Sequence, residues 1–325
     1  MKPEARSRGW RVGLILCVAW CCGCRDSDDS ALIRVTVNSW VGFGPLFLAR
    51  DLGLFDSLGL RIELQKIESA PDRRAALISG RVEIVGSTLD DLAVGLSQGV
   101  DAVAFACADF SNGGDGILGA GPVQKLSDLR HTAVAVQPGF VNHFFLLYVL
   151  DKNGIPTDNL SLNPMTPDDA GAAFLAGRID AAVTWEPFLS QGLQNRAGAV
   201  KLASSDEYPE AILDIFIAPR AWHQANPGAI ALFGRAWDQA IAFLEEQPDS
   251  ATQLIGREIG VSAAEASGML AGAKLLRTRE CPALLSRPVL DTLAERVERL
   301  WRGAGYISGD VDLVGSVLIS SGSNQ

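Results

Sequence analysis

Short apolar runs alternate with amphipathic stretches along the first two thirds of the chain. The runs are rich in Val, Ile and Ala, as buried strands are, and the stretches between them have helical spacing. The pattern predicts strands at 33–37, 61–66, 82–85, 102–108, 132–136, 160–163, 181–184 and 211–218. It predicts helices at 45–54, 71–79, 90–97, 141–153 and 168–176. This alternation favours an α/β fold of parallel sheets covered by helices.

One strand–helix–strand–helix block occurs twice. Residues 76–88 read ALISGRVEIVGST, and residues 173–185 read AFLAGRIDAAVTW. Upstream of each copy, residues 35–39 and 134–138 form a strand that leads through glycine into an apolar helix. The spacing between the copies is nearly the same in both comparisons. We therefore expect two similar lobes with a cleft between them, where small ligands commonly bind.

The predicted domain organisation divides the first lobe into two segments. Residues 32–120 and 217–325 form lobe 1, and residues 121–216 form lobe 2. The chain crosses between them near 118–122 and 212–219, and paired crossings of this kind act as hinges. After residue 219 only helical patterns remain, at 227–246, 249–259, 263–270 and 288–304. We expect this C-terminal tail to pack on lobe 1.

Residues 1–23 have the pattern of a secretory signal peptide. Basic residues precede the apolar stretch 12–22, which is too short to span a bilayer. The stretch ends in Cys21-Cys22-Gly23-Cys24, which resembles a bacterial lipoprotein signal with Cys24 as the lipidated residue. Cys21 stands where Leu or Val is usual, so Cys21 and Cys22 remain alternatives. A zinc or redox role for these cysteines is the weaker interpretation. Residues 24–31 would then tether a protein that is anchored to the membrane without crossing it.

The composition narrows the possible functions. The net charge of −10 argues against a nucleic-acid partner. Outside the N-terminal segment only Cys107 and Cys281 remain, and Cys107 lies in an apolar run, so a buried free thiol is expected rather than a disulfide. Three histidines, no nucleophile–base pair and no phosphate-binding loop predict no catalytic residue, no cofactor and no metal site.

Several motifs together resemble the periplasmic substrate-binding proteins of ABC importers, and more narrowly their nitrate/sulfonate/taurine-type family, whose relatives also bind pyrimidines. The motifs are WVGFGPL at 40–46, ARDLGLF at 49–55, GRVE at 80–83, GRID at 177–180 and TWEPF at 184–188. The resemblance implies a two-lobed type II fold that closes on a small polar solute and delivers it to a permease and its ATPase. It also implies a monomer on the extracytoplasmic side of a bacterial membrane. A pyrimidine-precursor binding or synthesising protein, and a sensor without transport, remain alternatives.

Candidate ligand contacts lie where predicted strands end, because ligands of open parallel sheets bind beyond the carboxyl ends of the strands. These candidates are Ser39, Trp40, Gly42, Phe43, Ser87, Thr88, Asp90, Asp109, Asn112, Asp115, Gly139, Phe140, Asn142, Trp185, Glu186 and Asp214. Several have structural alternatives. Trp40 and Trp185 could be core residues, and Ser87 could serve as a helix cap without contacting a ligand. Asn112 with the following glycine could form a hairpin turn.

The candidate loops carry five acids and no Lys or Arg. Uncompensated carboxylates in a closed cleft are costly, and an anion such as nitrate would add to the repulsion. The loops therefore predict a solute with an amino or similar nitrogen group, including a zwitterion such as taurine.

Overall fold

Two mixed sheets, each covered by helices, make up the structure of this protein. The computed structural model describes residues 31–158 and 160–319. The predicted signal peptide, Cys24 and the tether up to residue 30 lie outside the described residues. No helix within the described ranges is long and apolar enough to cross a membrane.

The strands and helices follow the predicted alternation closely. The strands are β1 Leu32–Val37, β2 Arg61–Lys66, β3 Ile84–Thr88, β4 Ala102–Ser111, β5 Asp115–Gly119, β6 Val134–Val136, β7 Leu162–Pro164, β8 Ala181–Trp185, β9 Val200–Ser204, β10 Leu213–Pro219 and β11 Ala273–Leu275. The helices are α1 Gly44–Asp51, α2 Leu54–Ser57, α3 Ala70–Ile78, α4 Leu89–Ser97, α5 Val141–Lys152, α6 Pro167–Leu175, α7 Phe188–Asn195, α8 Arg220–Ala225, α9 Pro227–Glu246, α10 Pro248–Ile259, α11 Ala263–Ala271, α12 Cys281–Leu284 and α13 Arg287–Gly303.

The two sheets repeat one topology. The first has the order β2-β1-β3-β10-β4-β11, and the second has the order β7-β6-β8-β5-β9. In each sheet the first three strands are parallel and the fourth, β10 or β5, is antiparallel to its neighbour. The internal repeat seen in the sequence is therefore a repeat of fold. We call the first sheet with its helices lobe 1, and the second sheet with α5, α6 and α7 lobe 2.

Equivalent caps begin the equivalent helices of the two lobes. Ser69 precedes α3, and its side-chain oxygen accepts a hydrogen bond from the backbone N–H of Asp72. Thr166 precedes α6 and accepts in the same way from the backbone N–H of Asp169. Such caps satisfy an otherwise unpaired amide of the first turn. The caps fix where each helix starts, at the carboxyl end of β2 or β7.

The crossings between the lobes differ from the prediction. Strand β5 lies in the second sheet, so the first crossing is the short segment between Ser111 and Asp115 rather than residues 118–122. The return crossing runs from Ser204, the end of β9, to Leu213, the start of β10. Strands β4 and β5 belong to different sheets, so the hairpin turn considered at Asn112 is wrong. Strand β5 was not predicted because its sequence, DGILG, is short and contains two glycines, which are uncommon in strands.

The expectation of a free thiol at Cys107 is also wrong. Cys107 on β4 forms a disulfide with Cys281, the first residue of α12, with Cα atoms 5.7 Å apart. That separation lies within the range of ordinary disulfides. The apolar surroundings of Cys107 predicted its burial correctly but carry no information about a partner 174 residues away. The bond ties the C-terminal region to β4 of lobe 1.

The C-terminal helices pack on lobe 1, as predicted, with one addition. Helix α9 packs against α1 and α2, and α10 packs against α1. Trp237 of α9 is fully buried, and its Nε1 donates to the backbone oxygen of Leu276 at 2.8 Å. Helix α13 contacts α4 of lobe 1 and also α5 of lobe 2. The last long helix therefore touches both lobes.

Candidate functional site

A small enclosed cleft lies between the lobes at the carboxyl ends of β1, β3 and β8. Residues of lobe 1, lobe 2 and the return crossing line it together. They are Asn38, Trp40, Phe43, Arg73, Gly86, Ser87, Thr88, Asp91, Asp115, Phe140, Val141, Trp185, Ile212 and Asp214. The position agrees with the rule that ligands bind beyond the carboxyl ends of parallel strands. The cleft is the candidate binding site.

Two tryptophans, one from each lobe, form one wall of the cleft. Trp40 follows β1, Trp185 ends β8, and their ring centroids lie 6.2 Å apart. Nε1 of Trp40 donates to Oδ1 of Asp109 at 3.1 Å, and Nε1 of Trp185 donates to Oδ1 of Asp168 at 2.8 Å. Each indole is thus held by a carboxylate of its own lobe. Phe140 packs edge-on against Trp185, with centroids 6.1 Å apart, and extends the aromatic wall.

Arg73 is a buried cation in the cleft that the sequence analysis missed. It lies in the first turn of α3 and is only 4% exposed. Its Nη1 donates to the backbone oxygens of Ile67 and Glu68, both at 2.8 Å, whereas Nε has no partner among the described residues. Burial lowers the pKa of Arg73 from its usual value, and the negative charge of Asp91 opposes that shift. The expectation that the site carries no Lys or Arg is therefore wrong.

The signal for Arg73 was present in the sequence. Helix α3 follows β2, so its first turn also lies at the carboxyl end of a parallel strand. The candidate loops follow other strands and do not include this turn. The neighbouring Arg74 differs from Arg73, because its guanidinium pairs with Asp91, which also accepts from the Ser87 hydroxyl at 2.7 Å.

Three carboxyl groups lie near one another, and two of them, Asp115 and Asp214, line the cleft. Asp214 of β10 lies directly opposite Asp109 of β4 in the sheet, and Asp115 begins β5 just past the first crossing. All three side chains are buried. Oδ2 of Asp115 accepts from the Ser111 hydroxyl at 2.7 Å, and Oδ1 of Asp115 has no partner within the described ranges.

Burial sets the protonation of this cluster. It raises the pKa of Asp115 to about 7, and it raises the pKa of Asp109 to about 7 against the opposing hydrogen bond from Trp40. The pKa of Asp214 lies well above its usual value because of burial and then because of the nearby Asp109 and Asp115. Near neutral pH the cluster therefore holds protons that an added cation would displace.

The start of α5 adds backbone donors to the lobe 2 side. Phe140 precedes the helix and supplies no side-chain cap, and Phe140 and Val141 both line the cleft. The first amides of a helix favour a negatively charged group. The cleft thus offers donors at Arg73 and α5, and acceptors at Asp115 and Asp214.

The structure brings half of the predicted site residues together in the cleft. These are Trp40, Phe43, Ser87, Thr88, Asp115, Phe140, Trp185 and Asp214. Ser39 and Glu186 lie in a recess on the outer side of the two tryptophans. There Ser39 donates to Glu68, and Glu186 accepts from the backbone N–H and hydroxyl of Ser190. Asp109 lies behind Trp40 and acts on the cleft through it.

The other predicted residues lie outside the cleft. Asp90 accepts from Nε1 of Trp301 on α13, and burial raises its pKa to about 7. The Asn142 side chain donates to the backbone oxygen of Val183 and so joins α5 to β8. Asn112 is exposed in the first crossing, where its backbone N–H donates to Gly272.

Two predicted glycines serve close packing. A Cβ atom at Gly42 would overlap the paired side chains of Trp40 and Asp109. Gly139 has φ of 73° and packs against the ring of Tyr306. Both positions require glycine for reasons of space or backbone conformation.

Comparison with known proteins defines the class of this fold. The chain superposes on the periplasmic aliphatic sulphonate binding protein SsuA from Escherichia coli with a TM-score of 0.74 and 20% identity, over 88% of this chain and 91% of that one. The fold is that of the periplasmic binding proteins, as predicted. Residues 26–257 match the model of the NMT1-like family, and the chain belongs to that family.

Two curated relatives carry names that bear on the ligand. The taurine-binding periplasmic protein of Escherichia coli is 23% identical over 276 residues, which cover 82% of this chain and 86% of that protein. A putative aliphatic sulfonates-binding protein of the same organism is 27% identical over 142 residues. That match covers only 44% of this chain and 44% of the relative.

Proposed function

We propose that this protein is the substrate-binding component of an ABC importer and that it captures a small sulfonate bearing an amino group. One observation carries the proposal. Arg73 and Asp115 line the same cleft, and each has a buried atom, Arg73 Nε and Asp115 Oδ1, with no partner among the described residues. A buried polar atom without a partner costs about 1–3 kcal/mol, so a ligand that pairs both atoms gains free energy at each end.

The anionic end of the solute binds at Arg73. A sulfonate accepts hydrogen bonds from several donors at once, which suits a guanidinium and the first amides of α5. The names of the relatives support a sulfonate over other anions. Nitrate would pair with Arg73 but would leave the buried acids unsatisfied.

The cationic end binds at the carboxyl cluster. An ammonium group donates up to three hydrogen bonds, and Asp115 and Asp214 both face the cleft. The ammonium also favours the ionised carboxylate, so it displaces the proton that burial retains. Both charges belong to one small cleft, so a short aminoalkyl sulfonate is the expected solute.

Closure follows from the placement of the two charges. Arg73 and Asp214 belong to lobe 1, whereas Asp115 and Trp185 belong to the second sheet. A solute that contacts both lobes only when they are together shifts the equilibrium toward the closed form. The closed form is what a permease would recognise, and a sensor without transport would use the same movement.

A ligand panel tests the class of solute. Thermal unfolding is followed with taurine, ethanesulfonate, ethylamine, nitrate and uracil, each in excess. We expect the largest rise in Tm with taurine, since stabilisation grows with affinity for the folded state. A larger rise with nitrate or uracil would favour the alternatives within the same fold and would contradict the proposal.

The lipid anchor is tested separately. We propose that Cys24 is acylated after removal of residues 1–23 and that the protein remains on the extracytoplasmic membrane surface. Cys24→Ser should release the protein into the soluble periplasmic fraction. Cys22→Ser is the matched control and should leave the protein in the membrane fraction. If Cys22→Ser released the protein and Cys24→Ser did not, the modified residue would be Cys22 rather than Cys24.

A further inference from the structure

Helix α13 is fixed to lobe 1 at both ends. Before it, the disulfide between Cys281 and Cys107 joins the chain to β4. After it, Leu318 donates its backbone N–H to the oxygen of Ala104, also on β4, at 2.8 Å. Ser308 and Ser97 add two hydrogen bonds, of 3.0 and 3.1 Å, between the tail and α4. Helix α13 therefore moves with lobe 1.

The same helix carries Trp301 between the first turns of two helices that begin at the cleft. Trp301 is fully buried. On the lobe 1 side its Nε1 donates to Oδ2 of Asp90, in the first turn of α4, at 3.2 Å. On the lobe 2 side its ring lies 5.4 Å from the ring of His143 and 5.6 Å from that of Phe144, both on α5.

These two helices present their N-termini to the cleft. Thr88, which caps α4, and Val141, which begins α5, both line the cleft. The spacing between the two first turns therefore sets the spacing between the two walls of the site. Trp301 occupies that space.

Further contacts join α13 to α5. Arg299 forms two hydrogen bonds with the carboxylate of Asp151, at 2.7 and 2.8 Å. Arg296 donates to the hydroxyl of Tyr148 at 2.9 Å and lies over its ring. Because α13 is fixed to lobe 1, these contacts with lobe 2 must break or slide when the lobes separate.

We propose that α13 is a third connection between the lobes, and that Trp301 is a positioning residue that holds the first turns of α4 and α5 at the spacing of the closed site. The contacts of α13 with α5 form in the closed arrangement and so favour it before any ligand binds. A ligand then spends less of its binding free energy on closure. This role does not depend on which solute the cleft takes.

The chain offers a matched pair of tryptophans for the test. Trp301→Phe removes the hydrogen bond to Asp90 and reduces the ring between the lobes. Trp237→Phe removes an equivalent buried hydrogen bond, to Leu276, entirely within lobe 1. The first measurement is the radius of gyration of each ligand-free protein by small-angle X-ray scattering, and the second is the dissociation constant for taurine.

The two variants should differ in a specific way. Trp301→Phe should increase the radius of gyration and weaken taurine binding by roughly 5-fold or more, as a coupling between sites of ordinary size would. Trp237→Phe should lower Tm and leave both quantities unchanged. Identical behaviour of the two variants would overturn the proposal. If the wild type fails to bind taurine, the proposed solute is wrong, but the radius of gyration still decides the role of Trp301.

A surface pair gives a second test without loss of buried packing. Arg299→Gln breaks the ion pair with Asp151 of lobe 2 and should also increase the radius of gyration. Arg287→Gln breaks a pair with Asp291 that lies within α13 itself. This control should match the wild type. An Arg299→Gln protein that also matches the wild type would show that the pair does not hold the lobes together.

Discussion

Trp40 of lobe 1 and Trp185 of lobe 2 pack against each other, with ring centroids 6.2 Å apart. Trp40 follows β1, the middle of three parallel strands in the first sheet, and Trp185 ends β8, the third of the corresponding strands in the second. Each belongs to one lobe, so the pair exists only when the lobes are together. Both rings separate the cleft from the outer recess.

Removing one ring should weaken binding without unfolding the protein. Trp185→Ala takes away part of the aromatic wall and frees Asp168 from its hydrogen bond, so we expect a loss of about 1–3 kcal/mol in the binding of taurine, measured by calorimetric titration. Trp222→Ala, a partly buried tryptophan outside the cleft, is the control. Unchanged affinity in Trp185→Ala would place that ring outside the ligand site.

Arg73 should be required for the sulfonate. Arg73→Gln keeps a hydrogen-bond donor but removes the charge, and we expect taurine affinity to fall by at least about tenfold, since charge-assisted hydrogen bonds contribute about 1.5–3 kcal/mol. The control is Arg81→Gln, an exposed arginine just after α3. Equal affinities in the two variants would contradict the assignment of Arg73.

Asp115 should link ligand affinity to pH. Its pKa of about 7 means that it becomes ionised, and so attracts an ammonium group, as the pH rises through neutrality. We expect taurine affinity to increase between about pH 5.5 and pH 8. In Asp115→Asn the affinity should be lower at the upper end of this range and the dependence flatter. A pH dependence that survives the substitution in full would assign it to another group.

The same carboxyl should lower stability at alkaline pH. An acid whose pKa is higher in the folded than in the unfolded state binds more protons when folded, so its contribution to stability is lost as the pH rises from about 4 to 7. Ligand-free Asp115→Asn should therefore have a larger free energy of unfolding than the wild type at about pH 8. The carboxylate of Asp128 has the opposite effect and stabilises the folded state at this pH, because backbone hydrogen bonds from Gln124 and Lys125 lower its pKa. Asp128→Asn should be destabilised at that pH.

The disulfide should stabilise the whole of lobe 1. Cys107 and Cys281 are 174 residues apart, and closing a long loop restricts the unfolded chain. The double substitution to Ser should reduce the free energy of unfolding by about 2–5 kcal/mol in a denaturant titration. A reductant added to the wild type should reproduce the loss. A wild type that reductant leaves unchanged, with a variant of equal stability, would contradict a structural role.

The sequence was sufficient for the architecture and for the location of the cleft. The repeated block predicted two lobes of one topology, and eight of the predicted site residues line the cleft, five of them at the carboxyl ends of β1, β3 and β8. Local patterns carry this information because strands, helices and their caps depend on nearby residues. They did not give β5, where two glycines obscure the strand, or the partner of Cys107.

The chemistry of the cleft depended on contacts that no local pattern contains. Asp90 follows a strand as the other candidates do, yet it packs beneath Trp301, 211 residues further along the chain. Arg73 and Arg74 are neighbours in the sequence, but only Arg74 forms an ion pair with Asp91. The acids of the candidate loops predicted that the cleft disfavours anions. The buried guanidinium of Arg73 makes an anionic group acceptable, so the cleft has both positive and negative side chains.

A calorimetric titration with two solutes that share one carbon chain tests the central claim most directly. The wild-type protein is titrated with taurine and with ethanesulfonate, which lacks only the amino group. An interaction of the ammonium with Asp115 and Asp214 predicts that taurine binds at least about tenfold more tightly near neutral pH. Equal affinity for the two, or tighter binding of ethanesulfonate, would contradict the account.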